Sequence, residues 1–231
     1  MIGENDRLLP VDKVTGERVH VLLDFTGFRC VNCPTASALA ETLQEQYEGK
    51  LLVVELHPAS NPFTQGKHDY TCPAADSIYL WMGGTATTSF PKGNADMGKY
   101  HGEYMTDADQ WTTMVDKAMQ DSAAPMLRAT ATGDTITRKV EVQAQYELSD
   151  EQQIAIWLLE DSIEGPQAKP EGVDMHYMHR HVLREVCVGT TLQVPDTCNL
   201  HHCSIITMLQ DKKDKTILNA YETTIDFGFD R

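Results

Sequence analysis

The sequence predicts an α/β domain over residues 1–122 followed by an all-β sandwich domain over residues 123–231. Three observations carry this prediction. Two near-continuous apolar runs, Val19–Thr26 and Leu51–Leu56, flank a stretch whose apolar residues recur at Ala36, Leu39, Ala40, Leu43 and Tyr47, which is helical spacing. Between the first run and that helix lies a Cys-x-x-Cys pair, Cys30 and Cys33. After Ser122-Ala123-Ala124-Pro125 the periodicity changes from helical to strict alternation, the pattern of half-buried strands.

Composition sets the outer bounds. With 41% hydrophobic and 23% charged residues in 231, the chain can bury a core and has no tract too polar to fold. A formal net charge of -15 repels a phosphate backbone, and no Lys/Arg cluster offsets it locally, so nucleic acid is excluded as a partner class. No apolar run approaches the roughly 20 residues that span a bilayer. Met1 to Asp12 is too polar for a secretory signal peptide.

Each element follows from local chemistry. Val19–Thr26 is apolar and β-branched almost throughout, as a strand buried on both faces must be, and it ends at Gly27. Pro34 stands in the first helical turn, where its missing N–H costs nothing, and the helix stops near Gly49. With Leu51–Leu56 this makes a right-handed βαβ unit with a parallel strand pair. His57 to Leu80 reads as a loop that is functional or carries a short helix, with Cys72 inside it. Thr85–Ser89 reads as a strand leading into Phe90-Pro91, and Asn94–Tyr104 as another. Asp107–Met119 is helical through Trp111, Met114, Val115, Ala118 and Met119. Ser122–Pro125 is the expected linker. Beyond it, Lys139–Leu148 places Val140, Val142, Ala144, Tyr146 and Leu148 on one face. Ile154–Leu159, Leu192–Val194 and Ile205–Leu209 follow, and short strands between turn signals predict an immunoglobulin-like sandwich.

A Cys-x-x-Cys motif serves as half of a zinc site, as a redox dithiol or as an inert bridge. Zinc needs two further ligands at suitable spacing, and neither a second such pair nor His57, His68 and Cys72 supplies them. An inert bridge stays open, because sequence does not report a reduction potential. The position between a buried strand and a helix N-terminus favours the redox use, since exposed N–H groups and the helix dipole stabilise a thiolate on the first cysteine. Cys30 is then the nucleophile. Cys33 is the resolving thiol that attacks a mixed disulfide and releases the partner.

At these residues the chain resembles the thioredoxins. Leu23-Asp-Phe-Thr-Gly-Phe-Arg-Cys30 is similar to the strand that enters their active site, and Asp24 falls six residues before the first cysteine, where that family keeps a buried acid. The resemblance therefore implies a thioredoxin-like N-terminal domain, with Asp24 moving a proton to or from Cys33. The alternative for Asp24 is a hydrogen-bonded acid at a strand end. The resemblance also places the family's cis-proline, which faces the dithiol, at Pro91. Arg29 replaces the usual aromatic before the first cysteine, and Val31-Asn32 replaces Gly-Pro. Arg29 can lower the Cys30 pKa by its charge, and the dithiol potential does not carry over.

Most of residues 20–225 resembles a narrower group, the outer membrane protein 28-related lipoproteins of Gram-negative anaerobes, which join a thioredoxin-like domain to a C-terminal β-sandwich. The matching segments are Phe25-Thr-Gly-Phe-Arg-Cys-Val-Asn-Cys-Pro34, Val53-Val-Glu-Leu-His57, Leu159-Glu-Asp-Ser-Ile163 with Gln167, and Tyr177-Met-His-Arg-His-Val-Leu-Arg184. This resemblance implies an exported protein of the cell envelope, in the periplasm or on the outer membrane. It also implies that contact with a membrane runs only through a lipid on a cysteine upstream of Met1, absent from this chain. The implied partners are protein thiols and disulfides, with no cofactor.

In the second half, His179 and His181 stand two apart on an expected strand and share a face, with His176, His201 and His202 nearby. Such spacing occurs in metal sites, but no carboxylate ligand is identifiable from spacing, and strand histidines more often bond locally, so no metal is assigned. Glu160, Asp161, Gln167 and Arg184 form an expected polar network at one end of the sandwich. Cys187, Cys198 and Cys203, with Cys72, are expected to form one bridge within 187–203, the alternative being a set of buried thiols. Two functions fit: a thiol–disulfide oxidoreductase or isomerase acting on protein thiols through Cys30, Cys33, Asp24 and Pro91, and a surface binding module whose disulfide is structural.

Overall fold

The computed structural model describes residues 15–146 and 149–228. In chain order the elements are β1 (Thr15–Glu17), β2 (His20–Phe25), α1 (Cys33–Gln46), β3 (Leu51–Leu56), α2 (Pro73–Trp81), β4 (Lys92–Ala95) and α3 (Trp111–Ala118). Then come β5 (Ala123–Pro125), β6 (Leu127–Gly133), β7 (Lys139–Tyr146), β8 (Gln152–Glu160), β9 (Ile163–Lys169), β10 (Gly172–His179) and β11 (Val182–Cys187). The series closes with β12 (Thr191–Gln193), β13 (Cys203–Asp211) and β14 (Ile217–Asp226). The protein is mostly β. Among the described residues, ten strands form one sheet in the order β12-β7-β6-β14-β13-β8-β11-β3-β2-β4, and β1–β5 and β9–β10 pair separately.

The expected opening unit is present: β2 and β3 are parallel and in register from His20–Leu51 to Phe25–Leu56, with α1 between them in the chain. All six residues of β2 are buried. Alternation then sorts them. Val21, Leu23 and Phe25 enter a core with Val54, Leu56 and Tyr79, while Leu22 joins Leu51 and Val53 under Ala36, Ala40 and Leu43 of α1 and Trp111 and Met114 of α3. Gly93 of β4 lies so close to Trp111 that an added Cβ would come within 2.2 Å of the indole nitrogen.

β8 does the same for the second half. Its unbroken apolar run sends Ile154, Ile156 and Leu158 into a core shared with β6, β7 and β12. Ala155, Trp157 and Leu159 pass into the core that holds Leu23, Phe25 and Tyr79. One strand thus serves two cores, which is why the run does not alternate with polar residues. The sheet is continuous across position 122, since β11 lies parallel beside β3 at Val182–Glu55.

Three expectations change. Thr85–Ser89 is a turn: Thr85 N–H and hydroxyl bond the Thr88 hydroxyl, so side chains take over the backbone partners that a strand needs. The strand expected over Asn94–Tyr104 is confined to Lys92–Ala95, because Asp96 and Met97 adopt φ of 54° and 55° and end it. Ser122–Pro125 is no free linker, since Ala123–Pro125 pairs antiparallel with β1. The segment over 57–80 carries the short helix expected as one of its alternatives, α2, whose Cys72 Sγ accepts from Ala75 N–H at its start, together with a 3-10 turn, Pro62–Thr64. In β7, Val140 and Val142 are buried as expected, Ala144 is half-buried and Tyr146 is exposed, and Leu148 and Met1–Asp12 lie outside the described residues.

Candidate functional site at a buried disulfide

Cys30 and Cys33 form a disulfide with their Cα atoms 5.4 Å apart. Backbone contacts hold the loop that carries it from two sides. Cys30 N–H closes a tight turn onto Gly27 O at 2.9 Å, and Arg29 N–H donates to Phe63 O at 3.0 Å. Gly27 is required there, because a Cβ would lie 2.6 Å from the Phe63 carbonyl oxygen. From the other side comes the β9–β10 hairpin: Ala168 N–H donates to Phe28 O at 2.7 Å, and Gln167 Nε2 donates to Cys30 O at 2.8 Å. The result is a covered disulfide, with Cys30 2% and Cys33 1% exposed.

Beneath the first turns of α1 lies a buried pair of acids. Asp24 and Glu55 are register partners in β2 and β3, so both side chains point to the α1 side of the sheet. Ser37, one turn after Cys33, donates its hydroxyl to Asp24 Oδ2 at 2.9 Å, while Asp24 Oδ1 has no partner. Burial, then the Glu55 charge, hold the Asp24 carboxyl well above the usual carboxylate range, against the lowering effect of Ser37. Burial pushes Glu55 up to about 7, with Ser37 and the His181 charge opposing. One proton is thus readily held near neutral pH beside the resolving cysteine's helix.

Histidines adjoin the acids. His57 continues β3 two residues past Glu55, and its Nε2 stands 3.5 Å from Glu55 Oε2. His179, at the end of β10, packs its ring 5.8 Å from that of His57 and 4.3 Å from Tyr70. Burial pushes both imidazoles down to about 3, so both are neutral at pH 7.

No family model and no curated protein matches the chain. Its architecture does have solved counterparts. The chain shares its fold with HBP35 of Porphyromonas gingivalis. That likeness has a TM-score of 0.68 at 13% identity and covers 90% of this chain and 76% of HBP35. A protein of Agrobacterium tumefaciens is similar with a TM-score of 0.51 at 12% identity, over 90% of this chain and 95% of that one. A domain of the outer membrane lipoprotein Omp28 of P. gingivalis aligns at 14% identity over 45% of this chain and 88% of that domain, with a TM-score of 0.27.

Within the fold shared with HBP35, the sequence-expected residues are placed as follows. Cys30, Cys33 and Asp24 come together around the N-terminal end of α1. Pro91 follows a cis Phe90–Pro91 peptide bond, and Phe90 lies in the same core cluster as the two cysteines. Arg29 reaches the Gln65 carbonyl at 3.3 Å.

Other expectations are corrected. Gln167 leaves the polar network assigned to it and caps Cys30, whereas Arg184 pairs with Glu160 at 3.3 Å, and Glu160 also accepts from Asn199 N–H. His179 and His181 do not share a strand face, because β10 ends at His179 and His181 takes φ of 52° in the turn beyond, 3.5 Å from Asp161. Cys72, Cys187, Cys198 and Cys203 are thiols, not a bridged set: the Cys203 thiol donates to Asn199 O at 3.3 Å, and Cys198 Sγ accepts from Arg184 Nε at 3.3 Å. Sequence reading left Ser37, Glu55 and Tyr70 unassigned and weighed His57 only as a zinc ligand beside the cysteine pair. Glu55 and His57 carried a signal: they are polar residues ending an otherwise apolar buried strand.

Among the described residues, no helix is long and apolar enough to cross a membrane.

Proposed function

We propose that this protein is a thiol–disulfide oxidoreductase or isomerase of the bacterial cell envelope, acting on protein thiols through Cys30 and Cys33. The observation that carries the reading is the Cys30–Cys33 disulfide at the start of α1, one turn from a hydroxyl bonded to the buried acid Asp24. In this reading residues 1–122 are a thioredoxin-like unit, and the chain over most of residues 20–225 is related to the outer membrane protein 28-related lipoproteins. Residues 123–231 are an immunoglobulin-like sandwich whose β9–β10 hairpin covers the dithiol. The overall fold is the one shared with HBP35.

The reaction balances without a cofactor. In the reduced protein the Cys30 thiolate, stabilised by the N-terminus of α1, attacks one sulfur of a substrate disulfide. A mixed disulfide forms and one substrate thiolate leaves. Cys33 then gives its proton to Asp24 and attacks Cys30 Sγ, forming the Cys30–Cys33 bond and releasing the second substrate thiolate. The Pro91 loop offers backbone to the substrate strand. Because Cys30 is covered, exchange requires the hairpin to lift.

The same burial favours a second reading, a binding module with a structural disulfide. A trapping experiment separates the two. In Cys33→Ser the mixed disulfide cannot resolve, so envelope extracts should yield covalent Cys30 adducts identifiable by mass spectrometry. Absence of adducts, together with no reductase or isomerase activity in the wild-type chain, sinks the oxidoreductase reading.

A further inference from the structure

Glu55, His57 and His179 bring a carboxylate oxygen and two imidazole nitrogens within 4.8 Å of one another. All three are buried, at 5%, 1% and 1% exposure. Neither ring nitrogen of His57 has a hydrogen-bond partner, and neither does Glu55 Oε2. Such orphaned groups are costly when buried, and native interiors rarely leave several in one place without an ion or water to take them up. His179 has only a contact at the long limit, Nε2 to Pro166 O at 3.4 Å.

We propose that Glu55, His57 and His179 form a binding site for a divalent first-row transition cation, of the zinc type. The donor set is one that zinc accepts, two imidazoles and a carboxylate, with a further position left for water or another ligand. The spacing fits. Metal–ligand bonds of about 2.0–2.1 Å in tetrahedral geometry separate ligand atoms by about 3.4 Å. His57 Nε2 and Glu55 Oε2 already stand at 3.5 Å. The third donor, on His179, lies within 4.8 Å of the other two.

Asp24 stands beside Glu55 as its register partner, and the nearby Arg184 is paired with Glu160. Position gives the site its consequence. Glu55 and His57 belong to β3 and its end, and His179 to the hairpin that covers the disulfide. A bound cation would therefore tie the hairpin to the sheet.

The site does not depend on the redox reading, so it is tested with the disulfide intact. The metal-free chain is titrated with Zn²⁺ in a calorimeter, and the Zn-loaded wild type is examined by X-ray absorption. One equivalent should bind, with nitrogen and oxygen neighbours only and imidazole back-scattering from two histidines. His57→Gln and His179→Gln should each weaken binding tenfold or more, and His201→Gln should leave it unchanged. Wild-type spectroscopy keeps the proposal falsifiable if either variant fails to fold. No saturable binding, sulfur in the metal's first shell, or full affinity in folded His57→Gln and His179→Gln would overturn it.

Discussion

Gln167 Nε2 donates to the carbonyl oxygen of Cys30 at 2.8 Å, across 137 positions of the chain. The second half of the protein thereby closes over the dithiol of the first. Removing that bond should loosen the cover without touching either sulfur. In Gln167→Ala, reduction of Cys30–Cys33 by a water-soluble phosphine should speed up about two- to twelvefold, the equivalent of a hydrogen bond of about 0.5–1.5 kcal/mol. An unchanged rate would mean that the hairpin does not limit access.

Gly165, two residues earlier in the hairpin, tests the same cover by packing. An added Cβ would lie 1.8 Å from the Tyr70 hydroxyl oxygen, so Gly165→Ala must displace Tyr70 or lift β9. Overpacking of this kind costs about 1–3 kcal/mol. The variant should unfold at lower denaturant and expose the disulfide to faster reduction. Hydrogen exchange over 163–179 would report the lifting directly.

Asp24 makes opposite contributions to chemistry and to stability. Its folded-state pKa is raised by burial, so the folded chain keeps a proton that the unfolded chain releases above about 3.9. Its favourable contribution is complete below that unfolded value and is lost as pH rises through the folded pKa. Asp24→Asn holds the same shape without the charge. Its stability relative to wild type should therefore increase as pH is raised from about 4 to about 8. Resolution of a mixed disulfide should slow about a hundredfold at neutral pH, the lower range for a lost proton acceptor. Denaturation at several pH values and stopped-flow thiol exchange measure the two effects separately.

Glu160 and Arg184 face each other at 3.3 Å with both side chains at most 7% exposed. Arg184→Met leaves a buried carboxylate without its counter-charge and should cost about 3–5 kcal/mol. The double variant Glu160→Gln with Arg184→Met should regain most of that loss. Equilibrium urea unfolding of the three proteins decides it.

How much of this was legible in the sequence depends on where the partners of each residue lie. β2, α1, β3 and α3 were legible, because their burial follows from their own periodicity. The disulfide position was legible for the same reason, as a junction between a buried strand and a helix start. The hairpin was not: β9 and β10 contain Gly165, Pro166 and exposed Val173 and Met175, and their value lies in contacts to Phe28 and Cys30 far back in the chain. Asp24 could be singled out from its place before Cys30, but its pairing with Glu55 depends on strand register, which no local pattern states. Likewise His179 read as one of a pair with His181. Only the turn after β10 separates them and sends His179 toward His57.

The central claim is that Cys30–Cys33 exchanges with protein thiols, and the reduction potential tests it most directly. Equilibration of the full chain with graded glutathione redox buffers, with the thiol state read by alkylation and mass, gives the midpoint. The account predicts a potential above about -300 mV, within the range of exchanging dithiols. A potential below about -300 mV, where structural disulfides lie, would contradict it and leave the pair as a buried staple.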